Sequence, residues 1–143
     1  MHENQISKGM LLQRGNIEQL HLPHDVLGKI TTNSKNFLVL FIPRADSLKI
    51  NIIPCDAPEI LKILVNLSEF SPQTIKSIAD IIYTLNITTI HTSGLCFREN
   101  KCCYEAYVEL TGDKENIQEE IRSKFMRVEG CKSVELEIIN ALG

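Results

Sequence analysis

"SPQTIKSIADIIYTLNITTIHTSG", residues 71–94, holds a helix start, a helix stop and a strand in one short run. Ser71 is a residue whose side-chain oxygen can take an orphan N–H of a first helical turn, and Pro72 suits the first helical position, where its missing N–H costs nothing. Ile75, Ile78, Ile82 and Leu85 recur at helical spacing and make one apolar stripe. Asn86 tolerates the left-handed conformation that closes a helix, and "ITTIHT" (87–92) continues with β-branched residues that favour a strand. The expectation is a capped helix running straight into a strand.

Working outward, "LKILVNL" (61–67) places Leu61, Ile63, Val65 and Leu67 on one face of a buried strand. Residues 94–101 read as a connection between strands. In "CCYEAYVEL" (102–110), Tyr104, Ala106, Val108 and Leu110 face one way, while Cys103, Glu105, Tyr107 and Glu109 face the other, toward solvent or a partner. "TGDKENIQEEIRSKFMRVEG" (111–130) is a second helix, with Asp113 near its start, a stripe of Ile117, Ile121, Phe125 and Val128, and Gly130 as its stop. A last strand, "KSVELEII" (132–139), turns Val134, Leu136 and Ile138 inward and Glu135 and Glu137 outward. The order βαββαβ, with two helices on one side of an antiparallel sheet, predicts the α+β class and a ferredoxin-like arrangement.

The turn-rich "PCDAPE" (54–59) divides this unit, residues 58–143, from a small, mainly β N-terminal segment, residues 1–57. There, "FLVLFIP" (37–43) and "SLKINIIP" (47–54) read as a hairpin, and "NIEQLHLPHDVLGKI" (16–30) as a strand ending at Pro23 followed by a short helix or turn.

A chain of 143 residues, 43% hydrophobic and 23% charged, has the balance of a soluble globular protein. Its formal net charge of −3, from 15 basic and 18 acidic residues, offers no global attraction to nucleic acid or to an anionic membrane. Residues 1–12 show no secretion signal and no apolar run is long enough to span a bilayer, so a cytoplasmic location is expected. With that location, the five cysteines read as reduced thiols.

The second half resembles the ACT domain, a small βαββαβ module that binds amino acids and other effectors in regulatory proteins. The likeness covers about residues 60–140 and rests on the Pro72 helix start, "IADIIYTLNI", "YEAYVEL" and the closing "EG" plus strand. Where that family commonly has a proline-glycine pair, this chain has Pro72 followed by Gln73. The likeness implies effector binding and assembly into a homodimer or a higher oligomer. "HTSGLC" and "KCCYEAYVELTGDKENIQ" also resemble the metal-binding domain of nickel-responsive repressors, in which His91 and Cys102 or Cys103 would fall at ligand positions. "LHLPHDVL" followed by "INIIP" is similar to the swapped-hairpin DNA-binding domains of AbrB-type regulators, which implies DNA contacts from Arg14, His21, His24 and Lys29.

The expected site is the loop before the first helix, where free N–H groups and the positive helix end would face a carboxylate. It comprises Asn66, Ser68, Glu69, Ser71 and Gln73, completed by Thr92, Ser93 and Gly94, and the plainer alternative is a solvated, capped loop. His91, Cys96, Cys102 and Cys103 are the metal candidates, against which stands a core histidine among small thiols; no metal or other cofactor is assigned. No phosphate-cradling glycine loop or nucleophile-base pair stands out, so no catalytic residue is assigned and the expectation is a non-enzymatic regulator binding a small effector, an amino acid first. The alternatives are a DNA-binding transcription regulator and a transition-metal sensor.

Overall fold

The structure is a computed structural model that describes residues 5–30 and 33–142; residues 1–4, which open the stretch read as lacking a secretion signal, lie outside them. The strands are β1 (Lys8–Gln13), β2 (Asn36–Pro43), β3 (Leu48–Cys55), β4 (Glu59–Leu67), β5 (Thr89–Arg98), β6 (Lys101–Glu109) and β7 (Cys131–Leu142). The α-helices are α1 (Arg14–Ile17), α2 (His24–Leu27), α3 (Pro72–Leu85) and α4 (Lys114–Met126). No helix among the described residues is long and apolar enough to cross a membrane.

The ferredoxin-like fold class expected from the sequence is overturned. The seven strands of the described residues join one mixed sheet in the order β3-β2-β1-β7-β4-β6-β5. The physical reason is β1, which the sequence reading passed over. It pairs antiparallel with β2 along its length and parallel with the end of β7 at Leu11↔Ala141 and Leu12↔Leu142. β7 is long enough to pair with β4 first and β1 afterwards, so its end joins the β1–β2–β3 strands to the edge that a free-standing βαββαβ unit leaves open. The sheet then curls until its two outermost strands, β3 and β5, line the same cleft, which makes it a nearly closed barrel.

Three apolar clusters follow from this shape. On the helix side, Leu61, Ile63, Val65 and Leu67 of β4 and Ala106 and Val108 of β6 pack with Ile78 of α3 and Ile121 and Phe125 of α4. Inside the curl, Leu11, Leu38, Leu40, Ile60, Tyr107 and Ile139 pack together. On the outer face of β1 and β2, Leu12, Phe37 and Val39 gather with Ile17.

The helix ends behave as their residues dictate. Ser71 Oγ accepts from the Thr74 N–H at 3.1 Å, and Asn86 closes α3 in the left-handed region with φ 52°. Asp113 caps α4 by accepting from the Asn116 N–H at 3.2 Å. Two other local expectations change. The 16–30 stretch contains short helical turns and no strand, and residues 94–98 extend β5, which meets β6 after a tight turn at Glu99 and Asn100.

Candidate functional site

The face of β6 expected to meet solvent or a partner is buried: Cys103, Glu105 and Tyr107 are all 1% exposed or less. The cover is Ile6 and Ser7, which reach Glu105 and Tyr107, together with Gly9 of β1, which lies against the Tyr107 ring. Pairing sets the neighbours in rows: Glu137, Lys62, Tyr107 and His91 lie side by side across β7, β4, β6 and β5, and Glu135, Leu64, Glu105 and Ser93 form the next row.

Glu105 is the hub of this interior. Its Oε2 accepts from the Ile6 N–H at 2.6 Å and the Ser7 N–H at 3.4 Å, and its Oε1 accepts from Ser7 Oγ at 2.5 Å. Since the Ser7 hydrogen goes to the carboxylate, the Tyr107 hydroxyl donates to Ser7 Oγ across 2.8 Å. Lys62 Nζ donates to the Ser7 carbonyl at 2.7 Å and to Gln5 Oε1 at 3.4 Å, while its approach to Glu105 Oε2 is 3.8 Å. The two buried charges are therefore coupled chiefly through the peptide they both hold. Burial pushes the Tyr107 hydroxyl well above its ordinary pKa, and pushes the Cys103 thiol up to about 12, so neither is ionised at neutral pH.

Above this network opens a cleft of about 510 Å³, within the range of roughly 300–1,000 Å³ typical of small-molecule sites. One wall is Ile42, Pro43, Lys49 and Asn51 of β2 and β3 with Arg44 of the turn between them; the other is His91–Leu95 and Phe97 of β5; Gln5 and Ile6 contribute from the N-terminal side. Among the described residues, the formally charged ones that line it are Arg44 and Lys49, with no carboxylate. Ser93 Oγ is buried without a hydrogen-bond partner. His91 has its pKa lowered, first by burial and then by the charge of Lys49, with Glu105 pulling the other way, so its imidazole is neutral at neutral pH.

The residues expected to form one site are distributed over different places. Thr92, Ser93 and Gly94 line this cleft. Asn66 lies in a smaller cleft of about 190 Å³ beside Lys132 and Ser133, donating to Ser133 Oγ at 2.8 Å. Ser68 takes its backbone bond from Gly130, its N–H donating to that carbonyl at 2.9 Å. Ser71 is engaged in its cap, and Glu69 and Gln73 are exposed. The loop does meet β5, but through Phe70, whose ring packs so closely on Gly94 that an added Cβ there would lie 3.0 Å from it.

Of the metal candidates, Cys96 and Cys102 are joined in a disulfide across β5 and β6, which corrects the expectation of reduced thiols at these two positions; Cys55, Cys103 and Cys131 are free. No group of three or more His, Cys, Asp or Glu able to hold a metal ion occurs among the described residues. Of the basic residues considered for DNA, Arg14 donates through Nε to the Ser34 carbonyl at 2.9 Å and stacks over Phe37, and Lys29 is exposed on the turn after α2.

The residues that sequence reasoning missed are Ser7, Lys62 and Glu105 in the floor, and Arg44, Lys49 and Asn51 in the wall. One signal was legible: Lys62 interrupts an apolar run, on the same strand face as Leu64 and Asn66. No protein-family model matches the chain, and no curated protein is recognisably related to it.

Proposed function

We propose that this chain is a non-enzymatic regulatory module that binds a small carboxylate, an amino acid in the first instance, in the cleft between β3 and β5. The observation that carries this reading is the charge of the lining: among the described residues, both formally charged side chains are cations, in a chain whose net charge is −3. A carboxylate placed near Arg44 and Lys49 gains charge-assisted hydrogen bonds. The neutral imidazole of His91 and the unpartnered Ser93 hydroxyl add neutral polar contacts, and Ile42, Leu95 and Phe97 accept an apolar body. A ligand touching both walls binds best when β3 and β5 are at one spacing, and it shifts the population toward that arrangement.

The test is calorimetric titration and thermal shift with the amino acids and with their decarboxylated amines. At a hundredfold excess over Kd, a ligand that binds only the folded state adds about 2.7 kcal/mol of stability. The expected result is stabilisation by one or a few acids, absent with the matching amines and lost in Lys49→Glu. Lys49 is exposed, so that variant should fold. Equal binding of acid and amine, or an unaffected Lys49→Glu variant, would refute the reading.

A further inference from the structure

The two outermost strands of the sheet, β3 and β5, both border the cleft. Each is paired on one side only, so half of its backbone N–H and C=O groups point away from its single neighbour. Edge strands are commonly guarded against unwanted pairing by proline, by lysine or by shortness. β3 carries such guards in Lys49 and Pro54. β5 carries none in its middle: it is ten residues long, "TIHTSGLCFR", with neither proline nor lysine, and its one formally charged residue, Arg98, stands at its end. Its register against β6 shifts only near its ends, between Thr89 and His91 and between Cys96 and Arg98, which leaves a regular central stretch. Leu95 and Phe97 on this strand are 46% and 40% exposed.

We infer that the natural ligand is the extended carboxyl-terminal tail of a partner protein, which adds a strand along β5 and sets its terminal carboxylate against Arg44 and Lys49. The inference rests on the carboxylate reading above and names its ligand class. Backbone pairing along β5 supplies affinity that does not depend on side chains, and the alternate side chains of the tail meet Leu95 and Phe97 on the cleft side, as in other strand-addition complexes. Charge selects the occupant: a chain end bears a carboxylate at a fixed place relative to the backbone, and the cations lie across the cleft from the edge the backbone would pair with. An extended tail of four residues spans roughly 13 Å, about the length of four positions of β5.

The experiment is calorimetric titration of the full chain with free amino acids and with acetylated tetrapeptides ending in Leu, Phe, Ser or Asp. Each peptide is also made as its C-terminal amide and in a form N-methylated at alternate backbone positions. Amide hydrogen exchange over residues 91–96 is followed in parallel. The expected result is at least tenfold tighter binding by one acid-ended peptide than by its terminal amino acid, a loss of at least tenfold on amidation or on N-methylation in one of the two phases, and protection of residues 91–96. If amino acids bind and peptides bind no better, the tail is wrong and the carboxylate reading stands. If neither binds, or amides bind as well as acids, the carboxylate reading fails with it. If the chain dimerises and residues 91–96 are protected without peptide, a second copy occupies the edge and the inference is overturned.

Discussion

Replacing Glu105 by alanine should cost about 3–5 kcal/mol of stability, the range for breaking a buried ion pair by removing one partner. The size can be worked from the geometry. At 3.8 Å, two unit charges at an effective dielectric of about 20 attract by roughly 4 kcal/mol. That attraction is lost while Lys62, only 3% exposed, stays buried with its charge. The Ile6 and Ser7 N–H groups and the Ser7 hydroxyl lose their acceptor as well, and each buried donor left unmet costs about 1–3 kcal/mol. Against these losses, roughly 7 kcal/mol taken at their low end, stands the several kcal/mol recovered when a carboxylate no longer has to be desolvated, which leaves a few kcal/mol net. The assay is a double-mutant cycle in urea with Glu105→Ala, Lys62→Met and the pair. Because Glu105→Ala leaves Lys62 buried without its counter-charge, and Met at position 62 removes that cost, the double variant should be more stable than Glu105→Ala alone. Additive effects, or a Glu105→Ala loss under about 1 kcal/mol, would mean that residues 5–7 are not held through this hub.

Three further outcomes are expected. The folded-state pKa of His91 is depressed below its unfolded value, so its contribution to stability is complete above about pH 6.5 and is lost as the pH falls below that; Tm measured from pH 8 to 5 should decline less steeply in His91→Gln. Gly9→Ala places a Cβ 2.6 Å from Tyr107 Cε1, and the overpacking should cost about 1–3 kcal/mol by urea denaturation, a penalty that Gly9→Ala combined with Tyr107→Leu should reduce. Reducing the Cys96–Cys102 bond, which closes a short loop with a sequence separation of 6, should lower stability by about 2 kcal/mol on the chain-entropy account, and Cys96→Ser should be indifferent to reductant.

The elements readable in advance were those whose signals are local. Ser71 and Asn86 bracket α3, Asp113 starts α4, and the β2–β3 hairpin follows from two apolar runs about a turn. β1 escaped because Met10, Leu11 and Leu12 are consecutive apolar residues without alternation: Leu11 enters the interior of the curl and Leu12 the opposite cluster, as happens in a strand covered on both faces. The phase of β6 was read correctly, with Cys103, Glu105 and Tyr107 on a common face. Its destination was not, since the cover comes from Ser7, which is 98 positions from Glu105 and 100 from Tyr107. The candidate site suffered likewise. Thr92, Ser93 and Gly94 do line the cleft, but its cationic wall belongs to Arg44 and Lys49, which no periodicity of β5 could announce.

The short parallel seam between β1 and β7 carries an implication for how the molecule assembles. Leu11 and Ala141 are partners 130 positions apart, and closing a loop of that length costs about 4 kcal/mol in chain entropy before any pairing is gained. The β2–β3 and β5–β6 hairpins, by contrast, join neighbours in the chain. Pairings of such different range should form in sequence, with the hairpins first and the seam late. Beyond its two ladder pairs, the seam is reinforced by Asn16 Nδ2, which donates to the Leu142 carbonyl at 3.0 Å. A chain emerging from the ribosome would therefore hold β1 without its parallel neighbour until β7 has been released, and the cleft whose N-terminal side is formed by Gln5 and Ile6 would take its final shape only after that.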